Sequence, residues 1–165
     1  MSEANRTRTV TWQDPAGVGK AGLTMAGAAF LRAIADGKLP PPPIAMLMDF
    51  DIVEVGEGRV VFSVVPQEFH YNPIGTVHGG LAATLLDSAM GCAVHSRLPE
   101  GRAYTTLELK VNFVRPMTRD TGRVQAIGKV VHLGGKVATA EGSLVDGAGK
   151  LYAHATTTCL LIDVR

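Results

Sequence analysis

Cysteine is scarce in this chain. Cys92 and Cys159 are the only two in 165 residues, both among apolar neighbours, and so few exclude a disulfide-stapled scaffold. An excess of charge is also missing. Sixteen Lys and Arg against fifteen Asp and Glu leave a net charge of +1, which gives no electrostatic footprint for nucleic acid or an anionic membrane. No apolar run approaches the ~18 residues of a membrane-spanning helix. The opening "MSEANRTRTV" lacks the apolar core of a secretory signal, so the expected compartment is the cytoplasm. His70, His95, His132 and His154 are scattered without metal-ligand spacing, and no metal is expected. Aromatic residues make up only 5%, so a stacked aryl pocket is not evident; Phe69, Tyr71 and Tyr104 are the nearest candidates.

What is present is a large apolar fraction, 46% against 19% charged, in a length that suits one domain with a full core. The first part, residues 1–43, reads as an arm. Its segment "MAGAAFLRAIADG" spaces Ala26, Phe30 and Ile34 four apart, which predicts one helix stopped at Gly37. The prolines Pro40 to Pro43 then favour an extended spacer. The arm carries no acid, base or nucleophile set, and is expected to cover a pocket mouth or a sheet edge. Residues 44–165 form the main domain. "DIVEVGEGRVVFSVV" predicts a hairpin around Gly56-Glu57-Gly58. A loop from Pro66 to Val77 follows. Gly79 to about Ser96 is rich in Ala, Leu and Met, apolar nearly all round, and predicts a long buried helix. Four strand-like segments come next. In "TTLELKVNFV" the alternation puts Leu107, Leu109, Val111 and Phe113 on one face and Thr106, Glu108, Lys110 and Asn112 on the other. Gly134-Gly135 marks a hairpin between the next two. One long helix against a curved antiparallel sheet is an α+β layer architecture.

The stretch "YNPIGTVHGGLAATLLDSAMG" places a carboxylate, Asp87, inside the apolar helix, where burial is costly. Gly79 and Gly80 stand at the helix start, where backbone N–H groups lack partners and about half a positive charge collects. A glycine there lets a substrate atom approach the backbone, and the N–H can stabilise an oxyanion. Asp87 is eight residues on, roughly 12 Å along the axis, too far to serve the same atom. If both groups act together, a second copy must bring its Asp87 to the first copy's Gly79, which predicts a symmetric dimer with sites at the interface.

"NPIGTVHGGLAATLLDSAMG" followed by "TTLELKVNFVRP" resembles the hotdog-fold acyl-CoA thioesterases of the PaaI-like, phenylacetate-pathway type, over about Pro43 to Val164. The resemblance implies a hotdog fold and hydrolysis of an acyl-CoA thioester to free acid and coenzyme A. It implies that the Gly79 N–H polarises the thioester carbonyl, with Gly80 beside the substrate, and that Asn72 holds the same region. Asp87, from the partner subunit, is then the general base or nucleophile. Thr106, or Thr105 in a shifted alignment, positions water. His78 contacts the leaving sulfur or orders the loop. Arg115 and Lys136 are candidates for coenzyme A phosphates. No cofactor is implied beyond the coenzyme A of the substrate, and assembly is expected as a dimer or a dimer of dimers. Two other readings stay open: a hotdog acyl-CoA hydratase or dehydratase, and a non-catalytic acyl-CoA-binding or regulatory module. Asp87 favours hydrolysis over both.

Overall fold

The computed structural model describes residues 5–164. Two strands, β1 (Phe50–Gly56) and β2 (Arg59–Val64), form the expected hairpin. The long helix spans Gly79–His95. Four more strands follow: β3 (Arg102–Phe113), β4 (Val124–Leu133), β5 (Val137–Asp146) and β6 (Leu151–Asp163). All neighbouring strands are antiparallel, and the sheet order is β1-β2-β4-β5-β6-β3. β1 and β3 are therefore the two edges.

The curved sheet wraps the long helix, as the apolar pattern requires. Leu81, Leu85, Leu86, Met90 and Val94 of the helix are at most 1% exposed and pack on Val60, Val64, Val124 and Leu144 of β2, β4 and β5. Each fully buried side chain of this kind contributes about 1.5–3 kcal/mol relative to exposure. The helix is not covered on every side, however. Ala83, Thr84, Asp87, Ser88, Cys92 and His95 are only half-buried, so one stripe stands clear of the chain's own sheet.

The arm holds more structure than its sequence suggests. One helix was expected before the prolines, and there are two: α1 (Pro15–Leu23) and α2 (Gly27–Ala35). Gly17, Gly19 and Gly22 hide α1, because each glycine disfavours helix by about 1 kcal/mol relative to alanine. Local capping offsets part of this. The Asp14 side chain accepts from the Ala16 N–H at 2.9 Å, and Pro15 sits at the first helical position, where its missing N–H costs nothing. The proline spacer is likewise shorter than expected. Pro42 is extended, but Pro43 opens a third short helix, α3 (Pro43–Met48); the long helix is accordingly α4.

β3 departs from simple alternation. Thr106 pairs with Cys159 and Glu108 with Thr158, so Leu107 is the extra residue of a β-bulge. Leu107 is 59% exposed and does not share the inner face with Leu109 and Val111. The bulge changes the parity of the strand. Tyr104 and Thr106 before it, and Leu109, Val111 and Phe113 after it, are all turned toward the helix side. Bulges beside functional sites commonly re-aim one side chain in this way.

Candidate active site

The site is built at the start of α4 by a loop whose backbone is tied at several points. Tyr71 and Val77 form an isolated bridge, and the Val77 N–H donates to the Met117 carbonyl at 2.9 Å. His70 is buried. Its Nδ1 accepts from the Gln67 N–H at 3.0 Å, its Nε2 lies 3.0 Å from the Met48 carbonyl, and its own carbonyl accepts from the His78 N–H. Burial pulls its pKa below the ordinary histidine value, which keeps the ring neutral as this bonding pattern requires. In the sequence His70 is one of the scattered histidines. Only the fold shows that it joins α3 to the loop leading into α4.

Asn72 spends its side chain within the turn. Its Oδ1 accepts from the Ile74 and Thr76 N–H groups, and its Nδ2 donates to Thr76 Oγ1 at 3.0 Å. It shapes the loop from inside. His78 is the N-cap of α4, and its Nδ1 accepts from the Gly80 N–H at 2.8 Å. The cap histidine thus uses the second N–H of the helix. Among the described residues, the first N–H, that of Gly79, has no acceptor within the chain. This leaves one aimed donor at the positive end of the helix dipole.

Two turns further along, Thr106 Oγ1 donates to Asp87 Oδ1 at 2.9 Å. The bulge at Leu107 is what allows a strand threonine to meet the helix carboxylate. One carboxylate oxygen is held by Thr106, and among the described residues the other has no hydrogen-bond partner. The groups around this pair stay neutral. Burial pushes the Cys92 thiol up to about 12 and the Tyr104 phenol well above its usual value, with the Asp87 charge acting in the same direction on both. Cys159, opposite Thr106 in the sheet, is raised for the same reasons. The thiols and the phenol around Asp87 are thereby held protonated.

Of the two coenzyme candidates, Arg115 lies just beyond β3 and donates to the Leu151 carbonyl at the start of β6. Lys136 is exposed in the β4–β5 turn, where its carbonyl accepts from Leu161 near the far end of β6. About ten strand residues, roughly 33 Å, separate these ends. One chain brings Asp87 to Thr106 and gathers Asn72, His78, Gly79 and Gly80 at the helix start, but it does not bring Arg115 and Lys136 together.

Two cavities share the start of α4 and have no lining residue in common. One, of about 380 Å³, takes in Gly79, Ala82, Phe113 and Arg115. The other, of about 680 Å³, takes in His78, Gly80 and Thr84 and reaches Arg8 and α3.

The sequence profile of the thioesterase superfamily matches residues 74–153. A Saccharolobus solfataricus protein named "Putative esterase" is 30% identical over 135 residues, 82% of this chain and 94% of that one. A Halobacterium salinarum protein of similar name is 43% identical over 84 residues, which span 50% of this chain and 54% of that one. Human acyl-coenzyme A thioesterase 13 is 31% identical over 65 residues, 39% of this chain and 46% of that one. Among solved structures, a mutant of the phenylacetic acid degradation protein PaaI of Thermus thermophilus superposes with a TM-score of 0.65 at 28% identity, covering 72% of this chain and 98% of that one. No helix among the described residues is long and apolar enough to cross a membrane. With its helix wrapped by six antiparallel strands and its match to these proteins over most of its length, the chain belongs to the thioesterase superfamily and has the hotdog fold.

Proposed function

We propose that the protein is an acyl-CoA thioesterase working in the cytoplasm, with its active site completed by a second copy of the chain. The observation that carries this reading is the Asp87–Thr106 hydrogen bond at 2.9 Å, which fixes a helix carboxylate by one oxygen and leaves the other for water. Water gives a proton to Asp87 as its oxygen bonds to the thioester carbonyl carbon. The carbonyl oxygen gathers negative charge against the unpartnered Gly79 N–H. The C–S bond then breaks, the sulfur takes up the proton, and coenzyme A and a carboxylic acid leave. His78 supports the step by capping α4 and occupying the Gly80 N–H, and Asn72 by fixing the loop. Arg115 lines the same cavity as Gly79, which supports assigning it to a coenzyme A phosphate. Lys136, at the other end of the sheet, serves only a site to which another chain contributes.

The uncovered surfaces support assembly. The half-buried stripe of α4 carries Asp87, and β3 is a twelve-residue edge with Leu107 and Phe113 more than half exposed. A long edge strand with apolar side chains calls for a partner. A dimer built on this edge, and pairs of such dimers, would cover both surfaces. The name of the human relative supports acyl-CoA as the thioester.

The test is a thiol-release assay over short-, medium- and long-chain and aryl acyl-CoAs, with light scattering on the same sample. Steady release and a mass of at least twice 17.4 kDa are expected. Tight acyl-CoA binding without release would identify a binding module, and release-free conversion of an enoyl-CoA would identify a hydratase. Full activity at the mass of one chain would remove the two-copy site.

A further inference from the structure

The 680 Å³ cavity is walled by residues outside the stretch that matches the superfamily. Arg8 and Val10 come from the arm, Ile44, Leu47 and Met48 from α3, and Phe69 to Tyr71 from the turn before the site; the floor is His78, Gly80, Leu81 and Thr84 at the start of α4. We infer that this groove binds the acyl limb of the substrate, and that its occupant is a flexible aliphatic chain rather than an aryl group. The inference rests on the thioesterase reading and adds the substrate class to it.

Three observations carry it. The first is apolar surface left in water: Ile44, Leu47 and Phe69 are 44%, 54% and 48% exposed, side by side in one concavity. Its volume lies within the roughly 300–1,000 Å³ that ligand sites span. The second is that most polar groups of the groove are already engaged, the Thr84 hydroxyl and His78 Nε2 aside. Arg8 donates to the Leu47 and Met46 carbonyls at 2.6 and 3.1 Å and lies 3.6 Å from Asp49. His70 is bonded on both ring nitrogens, His78 Nδ1 holds Gly80, and the Tyr71 hydroxyl accepts from the Arg119 N–H. A pantetheine arm with its amides would find few free partners there, whereas hydrocarbon needs none. The third concerns shape. The Arg8 guanidinium sits 3.9 Å above the Phe69 ring, and the His70 ring lies 4.2 Å from it, so the Phe69 ring is already used, and the Tyr71 ring is tied at its hydroxyl. Val10, Ile44, Leu47, Met48 and Leu81 supply most of the remaining apolar surface, which suits a methylene chain.

Arg8 is the positioning residue of this wall. Its side chain, 28% exposed, clamps the last carbonyls of α3 and Phe69 in one grip, and so sets the distance between arm, helix and turn. Arg6, paired with Glu68 at 2.8 Å, fastens the same segment further out.

The experiment compares the full-length protein with Leu47→Trp and Arg8→Ala on acetyl-, hexanoyl-, dodecanoyl- and phenylacetyl-CoA, with calorimetric titration of dodecanoate as a second readout. Melting temperature and elution volume verify folding. In the parent protein, kcat/KM should rise with aliphatic length and exceed that for phenylacetyl-CoA. Leu47 is on the surface, so a tryptophan there should fold and fill the groove, lowering the dodecanoyl-to-acetyl ratio of kcat/KM at least ~10-fold; a single methylene in an apolar pocket already discriminates on that scale. Arg8→Ala should lower the same ratio, through KM more than kcat. A preference for phenylacetyl-CoA, or ratios unmoved in both variants, would overturn the assignment while leaving thioester hydrolysis standing. If no thioester is cleaved but dodecanoate binds and Leu47→Trp abolishes that binding, the groove assignment stands and the catalytic reading falls. No cleavage and no binding would overturn both.

Discussion

The two ends of α4 use the same kind of residue for opposite purposes. At the start, Gly79 faces a cavity, and a Cβ built on it would first meet the Phe113 ring, at 3.2 Å. Its backbone N–H has no acceptor in the chain among the described residues. At the far end the protein closes on itself. Gly27 of α2 lies so near the last turn of α4 that a Cβ there would fall 1.8 Å from the His95 carbonyl oxygen. The Gly27 N–H donates to the Leu98 carbonyl, the His95 ring stands edge-on to Phe30, and Tyr104 packs beside it. One glycine keeps the helix open to something from outside; the other lets a neighbouring helix come close. Which end of α4 a glycine serves, not residue type, separates the site from the scaffold.

That contrast can be tested from both ends. The largest effect is expected at the carboxylate. Asp87→Asn keeps the shape of the side chain and its bond to Thr106, and turnover should fall at least ~100-fold with an unchanged melting temperature. A variant within threefold of the parent would remove Asp87 from the chemistry. Gly79→Val should crowd the donor. Turnover per folded protein is expected to drop roughly 100-fold, the effect of losing one oxyanion donor, with little loss of stability because the contacted ring can turn. Gly27→Ala should show the converse. Displacing a backbone carbonyl places it at the upper end of overpacking costs, about 3 kcal/mol, read as a fall of about 6–12 °C in Tm, while the folded fraction keeps its turnover. If Gly27→Ala proved the silent change and Gly79→Val the unstable one, the two ends would have to exchange roles.

Thr106→Val is a finer probe. Removing a hydrogen bond to a charged group should lower turnover about 10-fold, and Thr106→Ser should restore most of it. Thr105→Val, on the exposed side of the strand, should change little. An equal effect at both positions would mean that the bulge does not select Thr106.

The smallest effect concerns pH. Burial lowers the pKa of His95 and of His70. The sign follows directly. Their folded pKa values lie below the unfolded value of ~6.5, so their stabilising contribution is complete above that pH and is lost as pH falls through the folded values. Melting temperature should therefore decline on acidification from about pH 6.5, and His95→Phe, which keeps a ring against Phe30, should flatten the slope. An unaltered slope would show that His95 is not protonated in the transition.

How much of this could be read from residue order follows from the range of each interaction. Asn72, His78, Gly79, Gly80 and Asp87 fall within sixteen positions, and helix periodicity alone fixes the roughly 12 Å between glycine and carboxylate. The length and burial of α4, the six strands and the β1–β2 and β4–β5 turns are set by local alternation and turn residues, and the structure has them in those places. The first arm helix was concealed by its glycines, whose propensity penalty the Asp14 cap offsets only in part and which periodicity cannot register. The inner-facing Thr106 depends on a bulge, which is a property of pairing with β6 and leaves no trace in β3 itself. The tie of His70 to α3, the clamp of Arg8 on Met46, Leu47 and Phe69, and the separation of Arg115 from Lys136 join or divide residues tens of positions apart. By itself the sequence determined that a carboxylate lies two turns below a glycine-started helix in an α+β domain. Which strand residue holds that carboxylate, which helix N–H stays free, and what wall the arm builds beside it were decided only by tertiary structure, because those contacts arise where chain segments without sequence proximity are packed together.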